Sequence, residues 1–287
     1  MSWDVVMNAL HTPPPAEKLS LNTATVKTQW RLDQIIEGCA RHDIRGISPW
    51  RDQVAEIGLS RAAKMIRDHG LSVTGYCRGG MFPAIDKAGQ LAALDDNYRA
   101  VDEALEIGAA CLVLVVGGMP KGSKDIDGAR QQVHDGIASL LQYSRKVGMP
   151  LAIEPLHPMY AADRACVNTM AYANDLCDVL GDDGFGIALD VYHVWWDPDL
   201  RNQIRRAGKQ RLLAFHICDW LVPTTDLLLD RGMMGDGVID IAGLRTAVEA
   251  EGYSGFHEVE IFSAANWWKR SPDEVLLTCK QRHLECC

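Results

Sequence analysis

The feature that most constrains the fold of this 287-residue chain is a regular alternation of short apolar runs with longer amphipathic stretches. The runs predicted to be strands are rich in apolar and β-branched residues and lie at 19–25, 45–50, 71–76, 111–118, 150–156, 185–193, 212–218 and 255–262. Stretches with helical spacing lie at 32–41, 59–68, 91–107, 129–147, 170–180, 241–251 and 272–284, with a shorter basic one within 199–207. This alternation is typical of a parallel sheet wrapped by helices.

Eight such units predict a closed barrel. Several predicted helices are followed by the glycine that commonly ends a helix, as at Gly70, Gly108, Gly148 and Gly252. Eight parallel strands with helical crossovers close naturally into a single (β/α)8 TIM barrel, with an open doubly wound sheet as the alternative. We expect one α/β domain over residues 1–287, with 1–18 as a lead-in and 285–287 as a tail.

Charge and motif content narrow the classes of partner. Lys and Arg total 29 against 38 Asp and Glu, a formal net charge of -9, which disfavours a nucleic-acid partner because that binding rests on cations neutralising phosphates. The chain lacks GxGxxG and GxxxxGKS, the main sequence signals for dinucleotide and P-loop sites. It also lacks a secretory pattern at its start and any apolar run of membrane-spanning length, so we expect a soluble, cytoplasmic protein with no membrane partner.

Four polar residues fall at the carboxyl ends of the last four predicted strands, where barrel enzymes carry their catalytic groups. They are Glu154, Asp190, His216 and Glu260. Three carboxylates brought together in this way would repel one another unless a cation lay between them. A carboxylate and imidazole ligand set therefore predicts one divalent metal ion, with Mn²⁺ as the first choice and Mg²⁺, Co²⁺ or Zn²⁺ as alternatives.

The strings IEPLH, ALDVYHVWWDP, HICDW, DRGMMGDGVID and HEVEIF resemble the xylose isomerase-like TIM barrel family of sugar isomerases and epimerases. The resemblance covers essentially the whole barrel and is most specific from residue 154 to residue 262. It implies that the same four residues hold one metal, as the matching Glu, Asp, His and Glu do in ketose 3-epimerases. It further implies that Glu154 and Glu260 are catalytic and transfer protons on opposite faces of one substrate carbon.

Further site residues are predicted around this cluster. The predicted substrate-binding residues are His193 and Arg231, which the resemblance implies, together with His157 and Trp50. Asp219 is expected to hold His216 in place as a hydrogen-bonding partner behind the metal site. Glu258 shares the strand parity of Glu260 and would be a deeper inward carboxylate, although the resemblance favours Glu260 as the ligand.

These residues predict an enzyme that isomerises or epimerises a ketose or related keto sugar by proton transfer through a metal-bound enediolate. A proton next to a carbonyl is weakly acidic, so its removal needs a base in contact and a cation that stabilises the developing negative charge. A metal-dependent lyase or dehydratase acting on a keto sugar or keto-inositol, and a non-catalytic sugar-binding module, are the alternatives. The predicted partner is a small-molecule sugar, and assembly into a homodimer or homotetramer is left open.

Metal-dependent apurinic endonucleases are a further alternative, since they share a DxxH on strand six and a His on strand seven. They need three zinc ions, one held by the His of an Asp-Arg-His run, whereas this chain has Gly232 at the corresponding position. The acidic net charge also opposes DNA binding. The sequence therefore disfavours DNA repair.

Overall fold

A computed structural model describes residues 12–287 and contains one nine-stranded sheet in which all pairings are parallel. The strands are β1 (Leu19–Asn22), β2 (Gly46–Ser48), β3 (Ser72–Val73), β4 (Tyr76–Gly80), β5 (Leu112–Val115), β6 (Leu151–Ile153), β7 (Phe185–Asp190), β8 (Leu212–Ile217) and β11 (His257–Val259), with a separate antiparallel pair of β9 (Asp219–Trp220) and β10 (Arg231–Gly232). The order in the sheet is β3-β2-β1-β11-β8-β7-β6-β5-β4.

The two ends of this sheet meet, which makes it a barrel. A parallel bridge joins Trp50, just after β2, to Cys77 in β4. The segments β3 and β4 are therefore two parts of the third barrel strand, the first paired to β2 and the second to β5. This arrangement confirms the predicted (β/α)8 TIM barrel.

Helices surround the sheet, and several of them begin or end at capping residues. The α-helices are α1 (Leu32–Arg41), α2 (Arg51–Ile57), α3 (Leu59–Asp68), α4 (Lys87–Ile107), α5 (Ile126–Val147), α6 (Met170–Leu180), α7 (Val191–Val194), α8 (Leu200–Arg211), α9 (Ile241–Ala250) and α10 (Pro272–Cys286). The side chains of Asp86, Asp125 and Thr169 accept backbone N–H groups at the starts of α4, α5 and α6. Left-handed Gly108 and Gly148 end α4 and α5.

The inner face of the barrel carries small apolar side chains, which leave room for polar groups. One cluster of buried residues consists of Cys77, Cys111, Val113, Ala152, Ala188 and Ala214, separate from the larger apolar layer between sheet and helices. Larger residues such as Phe185 and Phe215 belong to that outer layer. The small inner residues allow carboxylates and amides to lie inside the barrel.

The structure differs from the predicted elements where strands end. The third predicted strand, 71–76, breaks after Val73, restarts at Tyr76 and continues to Gly80. The sixth, predicted to reach residue 193, ends at Asp190, because the Asp190 side chain accepts the N–H of Tyr192 and caps α7. Helix α2 was not predicted, and α8 continues to Arg211 with a non-helical Gly208.

The chain ends differ from the prediction as well. Helix α10 continues to Cys286 and Cys287 is its buried C-cap, so residues 285–287 belong to the end of this helix and do not form a separate tail. Of the predicted lead-in, residues 1–11 lie outside the described residues. The nine cysteines carry free thiols, and all but Cys286 are buried. Within residues 12–287 there is no helix whose length and apolar character would let it cross a membrane.

Candidate functional site

The structure brings the four predicted metal ligands together at one end of the barrel. Glu154 follows β6, Asp190 ends β7, His216 lies late in β8 and Glu260 follows β11. These four strands are consecutive neighbours in the sheet. One ligand atom from each residue lies within 4.8 Å of the others, and all four residues are buried.

The imidazole of His216 has one nitrogen directed at this cluster and one directed away from it. Its Nδ1 lies 3.0 Å from Oε1 of Glu154 and 4.0 Å from Oε2 of Glu260. Its Nε2 is buried without a hydrogen-bond partner among the described residues, and Oε1 of Glu258 lies 3.5 Å away. Burial opposes a charged imidazole, but the carboxylates of Glu258, Glu154 and Glu260 outweigh burial and raise the pKa of His216 well above its usual value.

Buried Arg231 joins two of the carboxylates. Its Nη1 donates to Oδ2 of Asp190 (2.9 Å) and to Oε2 of Glu260 (3.1 Å). Burial opposes ionisation of Asp190, yet the charge of Arg231, with His193 and His216, lowers the pKa of that carboxyl. At Glu260, burial and the repulsion of Glu154 prevail over Arg231 and raise the pKa to about 8. The pKa values of Asp190 and Glu260 are therefore shifted in opposite directions.

This donor set fits a divalent cation. The carboxylates of Glu154, Asp190, Glu258 and Glu260 are all buried, and burial together with the charges of Glu154 and Asp190 raises the pKa of Glu260. A dication among the oxygens of Glu154, Asp190 and Glu260 and Nδ1 of His216 would relieve the repulsion between these carboxylates. Binding would displace protons from the ligands, as metal ions generally do.

A network of polar side chains donates hydrogen bonds to Glu258 and Glu260. Nδ2 of Asn22 donates to Oε1 of Glu258 (2.8 Å) and to Oε1 of Glu260 (3.0 Å), and Trp50 Nε1 donates to Asn22 Oδ1 (2.8 Å). Thr74 Oγ1 donates to Oε2 of Glu258 (2.9 Å). Asn22 was not predicted as a site residue, although a polar residue at the carboxyl end of the first strand is a usable signal.

A cavity that opens to solvent lies over the cluster. Its lining residues are Trp50, Cys77, Arg78, Val113, Val115, Glu154, Leu156, Tyr160, Arg164, His193, Leu228, Arg231, Glu260 and Phe262. Three of the four predicted substrate-binding residues, Trp50, His193 and Arg231, are thus at its wall. Nε2 of His193 lies 3.1 Å from Nη2 of Arg231 and 3.6 Å from Oδ2 of Asp190.

His157, the fourth predicted substrate-binding residue, is not among the cavity-lining residues. Its half-buried ring stacks on Trp220 with the ring centroids 5.1 Å apart. Its backbone N–H donates to Nδ1 of His193 at 3.2 Å. Through these two contacts His157 supports His193 at the wall of the cavity and is not itself a lining residue.

Asp219 does not hold His216, contrary to the prediction. Its carboxylate accepts the backbone N–H groups of Gly235 (2.9 Å), Gly237 (2.8 Å) and Ile239 (3.0 Å). The strand β8 ends at Ile217, and β9 starts at Asp219. The side chain of Asp219 turns toward the loop that follows β10. Asp219 therefore fixes the loop after Arg231, and the carboxylate near Nε2 of His216 belongs to Glu258.

Two further cavity residues, Arg78 and Arg164, were not predicted. Arg78 lies in β4, beyond the point where the predicted third strand ends, and Arg164 lies in the long connection between β6 and α6. Both are half-buried at the wall of the cavity. The sequence offered only a weak signal for them, because isolated arginines in loops are usually solvated.

The chain is similar in sequence and in fold to several known proteins. A family model described as xylose isomerase-like TIM barrel matches residues 36–278. The crystal structure of protein SMc04130 from Sinorhizobium meliloti 1021 is 61% identical, with a TM-score of 0.93, covering 95% of this chain and 99% of that one. The structure of IOLI protein with a binding zinc atom is 20% identical, with a TM-score of 0.80, and covers 93% of this chain and 97% of its own. An inosose isomerase from Bacillus velezensis is 22% identical over an alignment of 278 residues, which covers 92% of this chain and 95% of the relative.

Proposed function

The chain belongs to the xylose isomerase-like TIM barrel family, and we propose that it is a divalent-metal-dependent isomerase or epimerase of a ketose or related keto sugar. The observation that carries this proposal is the set of four buried ligand atoms within 4.8 Å of one another beneath a cavity. The inosose isomerase relative supports the reaction class and makes a keto-inositol a substrate to test. Mn²⁺ is the first metal to test because carboxylate and imidazole donors suit it, and the zinc in IOLI makes Zn²⁺ the second.

In this proposal a bound divalent cation supplies stabilisation of the negative charge that develops on a substrate oxygen when a neighbouring C–H proton is removed. The protein supplies the groups that move the proton. Glu154 and Glu260 approach the cavity from strands that are separated in the sheet by β7 and β8, so their carboxyls flank the space where a substrate carbon would lie.

The two glutamates determine which product forms. If one carboxylate removes a proton from one face and the other carboxyl returns a proton to the opposite face, the carbon is inverted. If the proton returns to the adjacent carbon, the sugar is isomerised. Arg231 and His193 line the same cavity and would orient substrate oxygens, while Val113, Val115 and other apolar neighbours exclude water.

The test uses metal-free protein reloaded with Mn²⁺ or Zn²⁺ and incubated with a panel of ketoses and keto-inositols in D₂O. Proton NMR would detect deuterium incorporation and identify the products. We expect exchange together with an isomer or epimer, and none in metal-free protein or in His216→Ala. Loss of a hydroxyl group from the substrate would instead establish the lyase or dehydratase. No exchange with any substrate under any of the metals would contradict the proposal.

A further inference from the structure

We propose that Arg78 and Arg164 form an anion subsite in the cavity, which binds the phosphate group of a phosphorylated keto sugar. This inference rests on the proposed function for the sugar portion of the ligand. The anion subsite itself depends only on the two guanidinium groups and on the cavity that they line.

Arg78 is directed into the cavity by an irregularity of the strand. In the pairing of β4 with β5, Cys77 pairs with Val113 and Gly79 pairs with Leu114, so Arg78 is the extra residue of a bulge. Bulges beside active sites commonly re-aim a side chain. The half-buried Arg78 side chain makes no hydrogen bond or ion pair with any other residue from 12 to 287.

Arg164, the second arginine at the cavity wall, is held by its backbone. Its N–H donates to the carbonyl of Tyr160 (3.0 Å), and its carbonyl accepts from the N–H of Gly117 (3.0 Å). The chain approaches so closely here that a Cβ on Gly118 would lie 2.5 Å from the carbonyl carbon of Ala162. The Arg164 guanidinium lies 5.6 Å from the Tyr160 ring centroid and, among the described residues, has no carboxylate partner.

Arg78 and Arg164 differ from other arginines withdrawn from water in this protein, which are paired with carboxylates. Arg231 is paired with Asp190 and Glu260, and half-buried Arg51 is paired with Asp96 and Glu103. Charged groups withdrawn from water are normally paired in this way because desolvation is costly. Burial and the like charge of Arg164 lower the pKa of the Arg78 guanidinium. An anion between the two guanidinium groups would offset the cost of their desolvation and the repulsion between their charges.

The charges also fix the orientation of the ligand and favour phosphate. The carboxylates of Glu154, Asp190 and Glu260 would repel an anion, so an anionic end faces Arg78 and Arg164 while the keto end faces the cluster. Two forked guanidinium groups match a phosphate dianion in charge and in hydrogen-bond geometry, whereas a carboxylate is matched by one.

The first experiment titrates inorganic phosphate into metal-free protein at constant ionic strength, using calorimetry. Removing the metal prevents phosphate from acting as a metal ligand, so the result is independent of whether the enzyme is an isomerase. We expect saturable binding at one site, weakened about tenfold or more in Arg78→Met and in Arg164→Met, because each loses a charge-assisted hydrogen bond. Arg61→Met is the control, since Arg61 is exposed on α3 and pairs with Asp33.

Folding of each variant is checked by circular dichroism, and Arg78→Lys and Arg164→Lys provide versions that keep the charge. The lysine variants should bind phosphate more tightly than the methionine variants. The absence of saturable phosphate binding to the wild-type protein, or equal affinity in wild type and both methionine variants, would overturn the subsite.

The second experiment identifies the anion by competition against bound phosphate. D-Fructose 6-phosphate should displace phosphate at lower concentrations than D-fructose does. Displacement by D-glucuronate at lower concentrations than by D-fructose 6-phosphate would overturn the assignment to phosphate. If phosphate binds as expected and yet no keto substrate exchanges deuterium in the presence of metal, the proposed function fails while the subsite stands.

Discussion

Oε1 of Glu258 lies 3.5 Å from Nε2 of His216, on the side of the imidazole opposite to the carboxylates of Glu154 and Glu260. Asn22 and Thr74 donate to the two oxygens of Glu258 and hold it in place. A carboxylate behind a ligating histidine fixes which ring nitrogen carries the proton and which is free for the metal. Glu258 would therefore direct Nδ1 of His216 toward the ion.

Replacing Glu258 by Gln should weaken Mn²⁺ binding about 10- to 100-fold, the usual effect of losing such a supporting carboxylate. The amide keeps the shape of the side chain and can still accept from Asn22. The affinity is measured calorimetrically in metal-free protein. Glu37→Gln, on the exposed face of α1, is the matched control. Wild-type Mn²⁺ affinity in Glu258→Gln would show that the carboxylate does not act through His216.

The metal ligands themselves are tested by metal analysis of purified variants. Glu154→Gln, Asp190→Asn and His216→Ala should each bind less than one ion per chain under conditions in which the wild type binds one. The reason is that the two amide variants replace a charged donor by a neutral one, and His216→Ala removes one of the four converging donors. Full stoichiometry with unchanged affinity in any two of these variants would refute the ligand assignment.

The sequence predicted the residues of the cluster correctly because their positions at strand ends determine where they lie in a barrel. Polar residues at the ends of adjacent parallel strands must converge, and Glu154, Asp190, His216 and Glu260 do. The family predicted from strings such as IEPLH is confirmed. Periodicity also located the strand and helix units, because burial imposes it directly on the sequence.

Side-chain direction beyond the strands could not be predicted. The bulge at Arg78 shifts the register by one residue, and no periodicity marks such a shift. Asp219 was expected to hold His216 in place, but after the turn into β9 its carboxylate accepts backbone N–H groups of a loop. The role of Asn22 in the site could not be predicted either, because its hydrogen bonds to Glu258 and Glu260 form only when the barrel closes.

Two buried histidines away from the site should make the fold sensitive to acid. Nδ1 of His257 lies 2.9 Å from Nε2 of His283. Burial, followed by the charges of His283 and Arg245, lowers the pKa of His257 to about 3, and burial with the charge of Arg245 lowers the pKa of His283 to about 4. Lys18 also disfavours a charged His257, whereas Glu249, with Oε1 3.3 Å from Nε2 of His257, favours it.

Because both folded-state pKa values lie below the usual value of 6.5, the unfolded chain binds more protons as the pH falls below 6.5. The free energy of unfolding should therefore decrease between pH 6.5 and pH 4, by up to about 1.4 kcal/mol per pH unit for each histidine. Urea denaturation across this range measures the slope. His283→Gln should reduce it, and an unchanged slope in that variant would contradict the assignment.

The protein should not cleave abasic DNA. Gly232 stands where the nucleases carry a zinc-binding histidine, and the net charge is -9. Gly232→His alone should not create the activity, because the ligands for two further ions would still be missing. A nicking assay on a duplex with one abasic site, with added Zn²⁺, tests both proteins. Robust cleavage by the wild type would contradict the proposed reaction.

The most direct test of the central claim is deuterium incorporation from D₂O into the substrate by Mn²⁺-loaded wild type, Glu154→Gln and Glu260→Gln. Gln keeps a carbonyl oxygen for the metal but transfers no proton, so turnover should fall much further than metal affinity. If the reaction is an epimerisation, one variant should exchange deuterium into one epimer without forming the other, and the second variant should do the reverse. Small, equal losses in both variants with normal interconversion of epimers would contradict the account, because proton transfer would then belong to neither glutamate.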